Sequence, residues 1–267
     1  MSFDSLTALV HDSAVIAKRN IIKIRRVPDV LVFVLISPIM FVLLFAYVFG
    51  GSIDIPGSNY REFLMAGIFV QTVVFGATFT GAGIADDMQK GIITRFRSLP
   101  MSRTAVLAGR TASDVVYNVL SLAIMMATGF IVGWRIRDGI GEALVACVLI
   151  LIFAYALSWV MAYVALIVPS PEVINNASFI VIFPLTFVAN TFVPSQNLPR
   201  LLQIFAEWNP VSAATQAARE LFGNIPHETP QPEAWALQHP VLYTLVWSVI
   251  IVAVFAPLAV RRYRRQA

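Results

Sequence analysis

"VLVFVLISPIMFVLLFAYVFG", residues 30–50, contains no charged residue and no polar stripe at helical spacing. A helix on the surface of a soluble domain needs one face that meets water. This run is apolar all round, so it reads as a membrane span. The same holds along the chain: 30–53, 63–85, 115–134, 143–171, 173–199 and 234–260 are each free of charge. A bilayer core about 30 Å thick takes roughly 20 apolar residues of helix, and a helix satisfies its own backbone hydrogen bonds in lipid. The residue alternation of a membrane barrel is not visible. Of the 267 residues, 58% are hydrophobic and only 13% charged, where a soluble domain carries about 25% charge.

The expected fold is therefore an all-α integral membrane protein with six transmembrane helices. The spans are predicted near 30–50, 62–85, 104–133, 142–168, 173–193 and 240–260, in one domain over 30–260. Residues 1–29 precede it and a basic tail, 261–267, follows. The one cysteine, Cys147, lies inside the fourth run and forms no internal disulfide. No cleavable signal peptide is expected, since the first apolar run follows a long basic segment.

Positive charge sets the orientation. Lys18, Arg19, Lys23, Arg25 and Arg26 precede span one. Lys90, Arg95, Arg97, Arg103 and Arg110 lie between spans two and three, and Arg261, Arg262, Arg264 and Arg265 follow span six. With six spans these fourteen of nineteen basic residues share one side, expected to be the cytoplasm, with both termini there. The net charge of +4 flanks spans, which fits retention at an anionic leaflet and gives no reason to expect nucleic acid as a partner.

Residues 3–27 read as an amphipathic helix. Leu6, Leu9, Val10, Ala14, Ile16, Ala17, Ile21 and Ile24 share one arc, and Asp12 with the five basic residues takes the other, with Val15 and Ile22 as exceptions. Such a helix is expected to lie flat on the cytoplasmic membrane face, either as a plain anchor or also touching a partner. Pro28 would end it. Further on, Ser102 is a candidate N-cap for span three, and Trp134 is expected at the outer interface. The segment 194–239 is too apolar for a disordered loop. Asn209-Pro210 reads as an N-cap followed by proline in the first turn, and Gly223 as the stop. Two short amphipathic helices dipping into the outer leaflet are expected, carrying Arg219 and Glu220.

Several chemistries lack their residues. A phosphate-cradling loop needs lysine after glycine, but Lys18, Lys23 and Lys90 follow Ala17, Ile22 and Gln89. ATP is therefore not expected to bind this chain. No histidine lies within a span, and Asp114 and Glu142 are placed at span edges, which leaves no visible proton relay. Glu207, His227, Glu228 and His239 match no catalytic spacing, and no metal-ligand spacing occurs. Catalytic residues and metal ligands are therefore not expected.

"DDMQKGIITRFRSLPMSR", residues 86–103, concentrates charge between two apolar runs. Asp86 and Asp87 end span two, Gly91 turns the chain, and Ile92 to Leu99 form a short helix closed by Pro100. Ile92, Ile93, Phe96 and Leu99 would face inward, and Arg95 and Arg97 the cytoplasm.

This loop resembles the first cytoplasmic loop of type-2 ABC exporter permeases. Their pattern there is an acidic residue, three positions, glycine, a short helix closed by a leucine–proline turn, Ser-Arg, then the next span. "FVPSQNLPRLLQIFAEWNPVSAATQAARELF" resembles the family's outer signature in the order of its Leu-Pro, Leu-Gln, Asn-Pro and Arg. The likeness covers nearly the whole chain and is nearest to the daunorubicin-resistance type of drug-export permease. The loop departs in having Asp86-Asp87-Met88-Gln89 where the family often has Glu-Arg.

The resemblance implies an exporter built from two permease subunits, a homodimer more readily than a heterodimer, and two cytosolic ATPase subunits that hold ATP and magnesium. Asp86, Asp87, Gly91, Arg95, Phe96, Arg97 and Pro100 would couple to the ATPase, alongside the lead helix. Phe41, Phe45, Tyr47, Phe183, Phe187 and Phe192 would either line a route for an amphipathic drug-like or lipid-like molecule or serve packing. The other functional readings are an ion-coupled secondary exporter and a membrane-embedded enzyme acting on lipid. The expected location is a bacterial cell membrane.

Overall fold

A computed structural model describes residues 3–26, 36, 38–49, 60–97, 102–168, 170–225 and 232–265. Their regular structure is all helical. The helices are α1 (Phe3–Arg26), α2 (Pro38–Val48, ending in a π turn at Phe45–Phe49), α3 (Tyr60–Gln89) and α4 (Ile92–Arg97). There follow α5 (Arg103–Val132), α6 (Ile140–Ala165), α7 (Pro171–Phe187), α8 (Arg200–Trp208), α9 (Pro210–Leu221), α10 (Trp235–Gln238) and α11 (Pro240–Arg265).

Among the described residues, α3, α5, α6 and α11 are long and apolar enough to cross a membrane. The helices α2 and α7 are apolar but shorter. The stretch expected as span one lies partly outside the described residues. The stretch expected as span five stops being helical at Phe187, and 17 residues rise only about 25 Å. Beyond Pro184 the chain turns, and the Asn190 and Thr191 carbonyls accept bonds from Arg219. By contrast α11 runs on through the expected tail to Arg265, with Tyr263 buried and Arg262 Nε donating to Leu166 O at 3.4 Å.

The helix α3 is the axis of the bundle, packed by α5, α6, α7 and α9. Leu64, Met65, Phe69, Val70 and Val73 are fully enclosed along it. The basic end of the bundle holds α1, α4, the C-termini of α3, α6 and α11, and the N-terminus of α5. The far end holds the opposite termini with α8, α9 and α10.

Rather than lying free of the bundle, α1 crosses α5. A Cβ on Gly109 would sit 2.5 Å from Ser13 O and 2.7 Å from Ile16 Cβ, so only glycine admits this approach. Ile16 and Asn20 are buried there, whereas Val10 and Ile21 stay exposed. The apolar arc is thus divided between a protein contact and an open face. Asn20 Nδ2 donates to Ser113 Oγ at 3.3 Å, and Ser102 N donates to Asp12 Oδ2 at 3.0 Å. Gly109→Ala is expected to cost about 1–3 kcal/mol through overpacking. It should release α1 to trypsin at the exposed Lys18, and unchanged cleavage would refute the tight crossing.

One far-end expectation is corrected. Trp134 is fully buried, edge-on to Phe69 and Phe222 at 5.0 and 5.1 Å, and its Nε1 donates to Asn224 Oδ1 at 2.6 Å. A buried indole N–H needs such an acceptor, and Asn224, ninety positions away, cannot be paired with it by inspection. The helix α9, one of the two short helices expected in this segment, is enclosed by α3, α6, α7 and α11, because its alanines, Ser212 and Thr215 allow close packing. Of the helices α8 and α9, α8 is the one that presents an exposed apolar face, with Leu201, Leu202 and Phe205.

Candidate functional site

Three arrangements are built on this frame. The first is at the basic end. Gly91, at φ +65°, breaks the helix and turns the chain from the end of α3 into the start of α4. Asp86 stays on the surface, paired to Lys90 at 2.7 Å one turn on. Asp87 faces inward, and the guanidinium of Arg19 from α1 grips it with two bonds, at 3.1 and 3.0 Å. The same guanidinium lies 5.2 Å from the Phe96 ring centre on α4, within cation–π range. Ile16, Ile84, Ile93, Val106 and Leu107 form the apolar floor beneath.

Arg19 therefore ties three elements, α1, α3 and α4, through one side chain. On the sequence it belongs to the polar arc beside Lys18, but its side chain is two-thirds covered while Lys18 is exposed. The arginine that pairs with Asp87 comes from a helix 68 residues earlier. Arg95 is exposed. The backbone of Arg97 ends α4, and Pro100 lies outside the described residues. So do the side chains of Lys23, Arg25 and Arg26.

The second arrangement is aromatic. Phe75 of α3 meets Phe179 at 6.0 Å, and Phe179, Phe183 and Phe187 follow one another along α7 at 5.1 and 4.0 Å. Phe187 meets Phe192 at 4.9 Å, Phe192 meets Phe45 at 4.6 Å, and Phe45 stacks on Phe41 at 6.0 Å. The six aromatics singled out from the sequence thus fall into one ladder, with one exception. Tyr47 is exposed and receives the Arg61 guanidinium at 5.0 Å.

The third arrangement, at the far end, centres on Arg219. Asn209 caps α9 by accepting from Val211 N at 2.9 Å, with Pro210 in the first turn, and its Nδ2 donates to Leu185 O at 2.7 Å. At the other end of α9, Arg219 is 1% exposed and stacks 3.5 Å from the Phe63 ring centre. Its Nε donates to Phe63 O at 2.9 Å, and its Nη2 donates to Asn190 O at 2.7 Å and Thr191 O at 3.1 Å. Burial draws the guanidinium down to about 9, with Tyr60 acting in the opposite direction, so it stays a cation at neutral pH. Carbonyl dipoles take the place of a counterion. Glu220, its neighbour, points outward and accepts from Gln216 Nε2 at 3.2 Å.

Sequence reading also missed Asp114. It was placed at a span edge, yet it is buried well inside α5. Thr80 Oγ1 donates to it at 2.5 Å, and Arg110 pairs with it at 3.5 Å. Helical continuity from Arg103 carries it inward, which an edge estimate from charge alone does not register.

A bundle of long apolar helices around a glycine-bearing axis is that of a multi-pass membrane protein. The profile of the ABC-2 type transporter family matches residues 13–222, and the chain belongs to that family. It is similar to the daunorubicin resistance ABC transporter permease protein of Streptomyces coeruleorubidus, with 34% identity over 248 residues, covering 93% of this chain and 84% of the relative. It is also similar to a doxorubicin resistance ABC transporter permease protein of Mycobacterium tuberculosis, at 23% over 213 residues, 80% of this chain and 73% of that one. The chain is a transporter permease.

Proposed function

We propose that this chain is the permease subunit of an ATP-driven exporter for an amphipathic drug-like or lipid-like molecule. ATP and magnesium would be held by two separate ATPase subunits, and a second permease, most simply a copy of this chain, would complete the pathway. The basic end would face the cytoplasm of a bacterial cell, with both termini on that side, in keeping with the charge distribution.

The observation that carries this reading is the Arg19 brace. A push delivered to α4 passes through Phe96 and Arg19 to Asp87, and so into α3, the axis of the bundle. Nucleotide must favour one arrangement of the spans over another to move anything, and a braced α4 transmits that preference where a loose loop would absorb it. The drug-resistance names of both relatives and the aromatic ladder support an amphipathic cargo. A secondary, proton-coupled exporter is the other reading, favoured by the buried Asp114. Its pairing with Arg110 and Thr80 suits a fixed structural charge better than a proton carrier.

The test is co-purification with a candidate ATPase, sought among the neighbouring reading frames, with ATP turnover as second readout. Phe96→Asp places a carboxylate on the apolar floor, and Gly91→Pro demands a negative φ where the chain has a positive one. Both are expected to abolish the complex while the permease alone still elutes as a folded species. Arg95→Glu, on an exposed residue outside the Arg19–Asp87–Phe96 brace, should weaken association. A complex that survives all three substitutions would leave the loop as an orientation signal only.

A further inference from the structure

The α3–α5 seam carries a stripe of polar side chains deep inside two membrane-crossing helices. Next to the Asp114 network, one turn further along α5, Asn118 is fully buried against Gly76 of α3. A Cβ on Gly76 would come 2.5 Å from Asn118 Oδ1. Neither Asn118 Nδ2 nor Asn118 Oδ1 has a hydrogen-bond partner among the described residues. The hydroxyls of Tyr117 and Ser121, one turn apart on the same stretch of α5, are within reach of each other and have no other partner among the described residues.

Burying an amide with neither donor nor acceptor paired is destabilising, and a leucine of the same shape would pack at no such cost. Polar groups kept inside a membrane bundle mark substrate or ion pathways. Here the stripe also meets the aromatic ladder. Phe79 packs on Tyr117 at 5.6 Å, and Phe75, one turn away on α3, is the first ring of the ladder.

We infer that Asn118, Ser121 and Tyr117 form an intramembrane polar binding site that takes the hydrogen-bonding end of an amphipathic cargo whose apolar body lies along the Phe75–Phe179–Phe183 ladder. The inference rests on the transporter reading. The ligand end must both donate and accept, because the Asn118 amide offers both functions and the hydroxyls do too. It needs no strong net charge, because Arg110 already balances Asp114. Such a site has to be reached by water during the cycle, since a polar group enters and leaves it.

The test uses the permease alone in bilayer discs, so its outcome is separate from that of the ATPase experiment. Cys147 is the only cysteine, so Cys147→Ala gives a clean background for Asn118→Cys and Ser121→Cys. The reference is Val249→Cys on the exposed face of α11. A charged methanethiosulfonate reagent reacts with the thiolate, which forms where water reaches, so positions 118 and 121 are expected to react about tenfold or more faster than 249. Daunorubicin, the drug named for the Streptomyces relative, is expected to slow labelling at 118 and 121 and leave 249 unchanged. Labelling at 118 and 121 no faster than at 249 would mean dry packing and overturn the site. Because Ser121→Cys exchanges a single atom, misfolding would not account for that silence. Fast labelling that daunorubicin does not slow would reduce the stripe to a water-filled seam and overturn the cargo assignment.

Discussion

Arg219→Met is expected to unfold the purified permease far below the wild-type midpoint. The side chain holds the carbonyls of Asn190 and Thr191 in a buried turn and bonds to Phe63 O on α3. Each buried acceptor left unpaired costs about 1–3 kcal/mol, and the lost stacking on Phe63 adds about 0.5–2 kcal/mol. Removing the desolvated guanidinium offsets part of this, and a net loss of about 3 kcal/mol is expected. Arg219→Lys should recover less than half of it, since an ammonium cannot reach three carbonyls from one plane while lying on a ring. Tryptophan fluorescence during denaturation in detergent reads the effect, with Trp134 as a buried reporter. A methionine variant that melts with the wild type would show that the turn holds itself. The consequence reaches the aromatic ladder, because Phe192 directly follows the turn that Arg219 fixes.

Reversing one charge of the brace gives the second large effect. Arg19→Asp or Asp87→Arg alone replaces a two-bond ion pair with like charges. The lost charge-assisted bonds are together worth about 1.5–3 kcal/mol. At about 1.4 kcal/mol per factor of ten, α1 should detach from α4 at least tenfold more often. Limited trypsin cleavage at the exposed Lys18 measures that opening, and ATP turnover of the assembled transporter should fall with it. The double variant restores the opposite charges but leaves Phe96 facing a carboxylate instead of a guanidinium. Partial rescue is therefore the expected result. A double variant no better than either single one would show that the pair is not what holds the three helices.

Features governed by near neighbours in the chain were legible in the sequence. Long charge-free runs make helices that suit lipid, since backbone pairing within a helix requires no partner elsewhere. The Gly91 turn and the Asn209-Pro210 cap are decided within a few residues, and both are found at those positions. The ladder phenylalanines could be named as candidates because apolar rings in apolar runs must pack somewhere.

What the linear pattern did not carry were pairings between distant residues. Asp87 finds Arg19 across 68 positions, Trp134 finds Asn224 across 90, and Arg219 reaches Phe63 across 156. An arginine on a polar arc looks the same in sequence whether it meets water or a carboxylate. A tryptophan beside a span looks the same whether it faces headgroups or a core. The sequence by itself determined that this is a helical membrane protein with one strongly basic side, because hydropathy and charge act residue by residue. Only the tertiary structure decided which charges are buried and paired, that α1 is braced to α3 and α4, and that α9 is enclosed. Those outcomes depend on which helix faces approach closely enough to exclude solvent, and on the glycines that permit the approach.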